Sequence, residues 1–355
     1  MPPRDDSIRL TRRARAVFGK FGAGAAVAAL AISAAACSSG GTGSGSGSGP
    51  NSGQTVNLVA YSTPAKAYAK LIAAFNGTTD GKGVTVSESF GPSGSQSRAV
   101  AAGLPADVVN FSLSSDMTSL VKAGLVSASW DKTPTNGMVT DSVVVLVVRK
   151  GNPKNIQGWA DLVKPGVEVV TPNPFSSGSA RWNLMAAYGA QLALGKSPTD
   201  ADSYLSALLK NTSVQPTSAS TALATFLTGK GDVLLDYEDD AIAAVKAGDA
   251  VQYIVPAQDI LIENPVAILS GSHGSAAQAF VNYLLSPAGQ TLWGQLGYRP
   301  VLPSVAAKFN FPKPASLFTI KSLGGWTEVK TKFFDPTNGI VTRIEQGLGI
   351  STSTR

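Results

Sequence analysis

From residue 55 onward, short apolar runs of strand character alternate with stretches whose apolar residues recur at helical spacing. That alternation restricts the body of the chain to an α/β architecture with largely parallel sheets. Residues 55–60, 84–88, 106–111, 142–148, 167–170, 232–235 and 266–269 read as strands. Residues 65–75 place Tyr68, Leu71, Ile72 and Phe75 on one helical face. Further helices are expected over 96–102, 184–193 and 276–285, the last stopping before Pro287. A length of 355 residues admits two ordinary domains or one large two-lobed one. The 43% apolar and 15% charged composition supplies buried cores and excludes a mostly disordered chain.

Four loops that join a strand to a helix share a composition of small and hydroxyl-bearing residues. They are Tyr61-Ser62-Thr63-Pro64, Gly91-Pro92-Ser93-Gly94-Ser95, Ser176-Ser177-Gly178-Ser179-Ala180 and Thr217-Ser218-Ala219-Ser220-Thr221. A helix N-terminus exposes unpaired N–H groups and a partial positive charge. Small residues let an anion approach those groups, and Ser or Thr adds a hydroxyl donor. In open α/β sheets such loops gather beyond the carboxyl ends of the strands, where ligands bind. Each loop taken singly is also a helix cap. Four together point to an anion site, and the two roles are compatible.

The N-terminus reads as an address. Residues 4–20 are basic, 22–36 are almost entirely small or apolar, and Ser33-Ala34-Ala35-Ala36 leads into Cys37. The apolar run is shorter than the roughly 20 residues a membrane helix needs. The sole cysteine at its end resembles a bacterial lipobox, with Ala34 where Leu is usual; a plain signal peptide with an incidental Cys37 is the alternative. Residues 38–53 are Ser- and Gly-rich and read as a flexible tether. A lipid on Cys37, a tether and a folded body describe an exported protein anchored to the outer face of the cell membrane. Arg12-Arg13 leaves the export route open.

Charge and rare residues exclude several classes. The formal net charge is +6, but six basic residues (Arg4, Arg9, Arg12, Arg13, Arg15, Lys20) and two acidic ones fall before residue 38. The remaining 23 basic and 21 acidic residues leave the body almost neutral, so nothing in it demands nucleic acid. One cysteine excludes a disulfide framework and a Cys-rich zinc site. A Ser177 nucleophile would need a base, and the one histidine, His273, sits in a polar loop over 270–275 that suits solvent better than catalysis. Glu238, Asp239 and Asp240 suggest a metal or acid–base cluster, or simply the acidic start of a helix over 241–247. The five tryptophans are dispersed, which disfavours a cell-wall interaction protein without a small ligand.

One segment is more specific. Val148-Arg149-Lys150-Gly151-Asn152-Pro153-Lys154 leads to Trp159-Ala160-Asp161-Leu162 and Lys164-Pro165-Gly166-Val167. Thr171-Pro172-Asn173-Pro174-Phe175-Ser176-Ser177-Gly178-Ser179-Ala180-Arg181-Trp182-Asn183 follows. This run resembles the sulfate/thiosulfate-binding protein family, the substrate-binding subunits of ABC importers, and the resemblance extends over about 55–326. It implies a periplasmic-binding-protein-like (type II) fold of two α/β lobes with the ligand cleft between them. Lobe 1 would comprise 54–141 plus 264–326, and lobe 2 would comprise 142–263. The crossings would fall near 141–142 and 263–265, and 327–355 would form a C-terminal extension.

The same resemblance implies a dehydrated oxyanion held by neutral donors. Ser93 would offer its N–H and hydroxyl, Ser177 its hydroxyl, Gly178 and Ser179 their N–H groups, and Ala219 its N–H. Ser179 stands where the family usually has Gly. Ser62 falls where the family usually has Asp, and Arg181 matches an Arg just behind the anion, with a surface salt bridge as its alternative. Tyr237, after Gly231-Asp232-Val233-Leu234, stands where the family offers an indole; a phenol can donate or accept, or merely pack at the cleft edge. Thiosulfate and molybdate therefore stay open beside sulfate. No cofactor or metal is implied. The partners implied are the oxyanion and the ABC permease, with a monomer as the usual state.

Overall fold

The computed structural model describes residues 49–272 and 274–353. The expected signal segment, Cys37, residues 38–48 of the expected tether and His273 lie outside the described residues. Residues 49–53, the end of that tether, are docked on the body. Asn51 is buried, donates to the Asp80 carbonyl at 2.8 Å and accepts from the Ser275 hydroxyl.

The chain begins with β1 (Thr55–Tyr61), α1 (Ala65–Asn76), β2 (Thr85–Gly91), α2 (Ser93–Ala101), β3 (Val108–Asn110) and α3 (Ser114–Lys122). The long strand β4 (Met138–Arg149) leads to β5 (Val169–Val170), α4 (Gly178–Ala193), α5 (Pro198–Lys210) and β6 (Thr212–Val214). Then come α6 (Ala219–Leu227), β7 (Val233–Tyr237), α7 (Glu238–Ala247) and β8 (Val251–Ile254). A second long strand, β9 (Gln258–Ile268), precedes α8 (Ser275–Leu285), α9 (Pro287–Gln295), β10 (Arg299–Pro300), α10 (Pro303–Ala306) and β11 (Ser316–Phe318). The described chain closes with α11 (Gly325–Phe334) and α12 (Ile340–Gly347).

The strand order is β2-β1-β3-β9-β4-β7-β5-β6, with β8 and β10 on β4 and β11 on β9. The outer pairs β1–β2, β1–β3, β5–β6 and β5–β7 are parallel, as strands linked by helical crossovers must be. The expectation of largely parallel sheets fails at the centre. There β4 is antiparallel to β7, β8, β9 and β10, and β9 is antiparallel to β3. The reason lies in two strands that divide their pairing along their length. Residues 138–143 of β4 pair with β9, while 144–149 pair with β7 and β8. Residues 261–265 of β9 pair with β4, while 266–268 pair with β3. Two strands passing in opposite senses between the β1 and β7 sides cannot both run parallel to their neighbours.

Burial follows strand periodicity. In β4, Val144, Leu146 and Val148 enter one core, and Val143, Val145 and Val147 enter another on the opposite face. In β1, Val56, Leu58 and Ala60 face the core built on Tyr68, Leu71, Phe75, Phe280 and Trp293, while Val59 faces Phe111, Met117 and Leu120. The helix expected to stop before Pro287 does so, and Ser286 then caps α9 by accepting from the Gly289 N–H, with Pro287 in the first turn. Residues 327–347, for which the sequence offers no motif, form most of α11 and α12. Trp326, Val329, Phe333, Phe334 and Val341 complete the same core as Trp182 and Tyr188.

Candidate functional site

The first turns of α2, α4 and α6 carry most of the residues singled out in the sequence, and they are capped differently. At α6, Ser218 accepts from the Thr221 N–H, the ordinary cap that a Ser in this place provides. At α2 the N-cap is Pro92, without an acceptor side chain. At α4 the N-cap Ser177 makes no capping bond; its hydroxyl pairs with that of Ser179 at 2.8 Å. The amides of Ser93 and Gly94, of Gly178 and Ser179, and of Ala219 and Ser220 sit in first turns, where a helix provides no acceptor. Ser93, Ser177, Ser179 and Ala219 are nevertheless buried, at 2–4% exposure.

Loop contacts bring these ends together. The Ser176 hydroxyl donates to the Thr217 carbonyl at 2.8 Å, joining the α4 and α6 entries. A Cβ on Gly94 would lie 3.4 Å from the Ser176 carbonyl, which puts the first turn of α2 beside the same loop. A Cβ on Gly178 would lie 2.7 Å from Ser112 Oγ and 2.9 Å from Leu113 Cγ, so the entry to α3 closes against the first turn of α4.

Ser112 is the residue that sequence reasoning missed. Its N–H donates to Ser93 Oγ at 3.0 Å, and its carbonyl accepts from Trp182 Nε1 at 2.7 Å and more loosely from Asn264 Nδ2 at 3.4 Å. Its hydroxyl lies 2.7 Å from the Tyr237 hydroxyl. The position is set from β3. Asn110 accepts from the Tyr68 hydroxyl and donates to the Pro265 carbonyl, pinning the end of the strand to β9. A signal existed, because Ser112-Leu113-Ser114 is a fifth hydroxyl-bearing loop between a strand and a helix. It lacks the Gly that draws the eye to the α2 and α4 loops.

The charged groups lie behind this ring of donors. The Ser93 hydroxyl donates to Asp116 Oδ2 at 2.6 Å, which leaves the Ser93 backbone N–H as its offering to the cleft. Burial pushes the Asp116 carboxyl up, opposed by the Arg181 guanidinium and the Ser93 hydrogen bond. Arg181, in the first turn of α4, donates from Nε to the Pro174 carbonyl at 2.7 Å and lies over the Phe334 ring. It forms no ion pair within 4.0 Å among the described residues, so the surface salt bridge considered for it is not formed.

Tyr237 is fully buried, its ring 6.4 Å from that of Tyr61. Burial holds its phenol far above the usual tyrosine range, so it stays protonated. Ser62 is half-buried in the first loop, and its neighbour Thr63 donates to Asp240 Oδ2 at 3.0 Å. The acidic run lies inside the first turn of α7, one turn earlier than the helix expected over 241–247. Ser142 donates to Asp239 at 2.8 Å, and Arg299 pairs with Glu238 at 2.6 Å. Burial, reinforced by the neighbouring carboxylates, raises Asp236 and Asp239, and burial pushes Asp240 up to about 7. No group of three or more His, Cys, Asp or Glu suited to a metal ion occurs among the described residues.

The two strands shared between sheets and the convergent helix N-termini define a periplasmic-binding-protein-like (type II), two-lobed α/β fold. A family model described as bacterial extracellular solute-binding protein matches residues 56–299, and the chain belongs to that family. The sulfate-binding protein of Synechococcus elongatus is 40% identical over 297 residues, covering 80% of this chain and 85% of that protein. The thiosulfate-binding protein of Pseudomonas aeruginosa is 37% identical over 268 residues, covering 72% and 81%. The solved sulfate-binding protein SubI from Mycobacterium tuberculosis H37Rv is 46% identical with a TM-score of 0.76, covering 79% of this chain and all of that one. These relatives are named as binding proteins. Among the described residues no helix is long and apolar enough to cross a membrane.

Proposed function

We propose that this chain captures sulfate outside the cytoplasm and delivers it to the permease of an ABC importer, without catalysing a reaction. The observation that carries this reading is the junction of three buried helix N-termini with the hydroxyls of Ser112, Ser177 and Ser179, all neutral donors. The anion would be held by the N–H groups of Ser93, Gly178, Ser179 and Ala219, the Ser177 hydroxyl and the Tyr237 side, with Ser62 and Arg181 behind them. Lobe 1 would comprise 54–141 and 264–326, and lobe 2 would comprise 142–263. Asp141 and Glu263, register partners in β4 and β9, would mark the crossing. Export with a lipid on Cys37 and a monomeric state complete the reading.

Selectivity follows from the donors. Sulfate carries no proton at neutral pH, whereas hydrogenphosphate keeps one. A buried site that offers only donors leaves that proton facing another donor. An unmatched buried polar group costs about 1–3 kcal/mol, more when charge is involved, which is roughly a tenfold to hundredfold penalty. Thiosulfate is the second reading, supported by the Pseudomonas aeruginosa relative.

Calorimetric titration tests both readings, using the chain from Ser38 onward refolded in anion-free buffer. Tight sulfate binding with phosphate silent is expected. Preference for thiosulfate or molybdate would keep the site and move the substrate. No response to any oxyanion would remove the proposal.

A further inference from the structure

We propose that Thr63 and Asp240 form a latch between the lobes, fastened when they close on the oxyanion, that sets how slowly the anion leaves. The inference rests on the two-lobed oxyanion reading above and deepens it. Both are positioning residues rather than ligands.

The acidic run Glu238-Asp239-Asp240 opens α7 directly after Tyr237, and each of its carboxyls takes a donor from a different segment. Arg299 donates to the two oxygens of Glu238, at 2.6 and 3.1 Å. Ser142 donates to Asp239 Oδ1 at 2.8 Å. The Thr63 hydroxyl donates to Asp240 Oδ2 at 3.0 Å, and both residues are buried although 177 positions apart in the chain. These bonds give the acidic run a role that needs neither metal nor acid–base chemistry: it ties the start of α7 to three other parts of the chain.

The three donors differ in where they stand. Ser142 follows Asp141 in β4, and Arg299 is the register partner of Asp141 in β10, so both lie at the crossing. The turn before Arg299 is tightly packed on α7, where a Cβ on Gly297 would lie 2.9 Å from Ile242 Cγ2. Thr63 instead belongs to the loop between β1 and α1, inside lobe 1. When two bodies turn about a hinge, a contact near the axis changes little and one away from it parts. A side-chain hydrogen bond stretched to about 3.6 Å is no longer one. A small opening thus breaks the Thr63 bond and leaves Glu238 and Asp239 with their donors. Apart, Thr63 and Asp240 are satisfied by water; closed, they satisfy each other. The bond therefore favours the closed form, and it acts on departure, because the lobes must part before the anion can leave.

The test is stopped-flow kinetics of sulfate binding, with urea unfolding of the ligand-free protein beside it. Thr63→Val removes the hydroxyl and keeps the branched shape. It is expected to raise the dissociation rate about 3- to 30-fold, between the loss of a neutral hydrogen bond and of one to a charged group. The association rate should change little, and the ligand-free urea midpoint should stay at the wild-type value. Thr63→Ser, which keeps the hydroxyl, should retain the slow dissociation. With Asp240→Ala already in place, Thr63→Val should add little. An unchanged dissociation rate, a Thr63→Ser variant as fast as Thr63→Val, or additive effects of Thr63→Val and Asp240→Ala would each overturn the inference. So would a fall in ligand-free stability with dissociation unchanged, which would make the bond a permanent part of the scaffold. A wild type that binds no oxyanion would instead overturn the functional reading on which the latch rests.

Discussion

The Trp182 indole stands edge-on to that of Trp326, with ring centroids 4.6 Å apart and planes at 86°. The same Trp182 N–H donates to the Ser112 carbonyl. A C-terminal helix thus buttresses a ring that reaches the candidate site. Edge-to-face pairs contribute about 0.5–1.5 kcal/mol beyond the area they bury. Trp326→Ala is expected to cost about 3–5 kcal/mol, as aromatic truncations in cores do. It should also weaken oxyanion binding, because Trp182 loses its support. Denaturant unfolding together with titration checks both effects; a stable variant of normal affinity would mean that α11 is dispensable to the site.

Gly178 is confined by its neighbours rather than by its backbone angles. A methyl there would sit 2.7 Å from Ser112 Oγ and 2.8 Å from Ser112 Cβ. Since Ser112 and Gly178 belong to the α3 and α4 entries, the clash opposes their approach and leaves α4 itself intact. Gly178→Ala should therefore keep its circular dichroism and lose oxyanion affinity by about 5- to 150-fold, in line with an overpacking cost of about 1–3 kcal/mol. Small-angle scattering should show a more open molecule in the presence of sulfate. Wild-type affinity would show that the contact relaxes freely.

Ser177 lies 4% exposed at the start of α4, against the Ser179 hydroxyl. Ser177→Asp places an acceptor and a negative charge among donors. The helix end tolerates a carboxylate well, so the fold should hold. Oxyanion binding should fall by more than about a hundredfold through repulsion and a mismatched polar contact. Retained tight binding in a calorimeter would remove Ser177 from the site.

Asp141 faces Glu263 across β4 and β9. Burial and that like charge push its carboxyl up to about 7, against a partial pull from Arg299. Between about pH 4 and 7 the unfolded chain gives up this proton while the folded chain keeps it. The stabilising contribution is thus complete below pH 4 and is lost as pH rises through 7. One such proton corresponds to at most about 1.4 kcal/mol per pH unit, and the partial exposure of Asp141 reduces this. Asp141→Asn should flatten the fall of stability over that window when urea midpoints are followed from pH 4.5 to 7.5. An unchanged slope would assign the titration elsewhere, for instance to Asp240.

Much of the architecture was legible before any coordinates. The strand over 142–148, the face of Tyr68, Leu71 and Phe75, and the hydroxyl-bearing entries to α2, α4 and α6 all appear where the residue pattern puts them. Such features depend on neighbours within a turn or a few strand positions, so composition and spacing determine them. The tertiary structure decided the rest. It turned β4 and β9 antiparallel to their neighbours, gave the Ser93 hydroxyl to Asp116, packed α11 under Trp182, and set Ser112 against a tyrosine 125 residues away. A hydroxyl in a sequence can donate or accept in any direction. Which bond it makes is settled only when the chain's path brings one partner, and no other, within hydrogen-bonding reach.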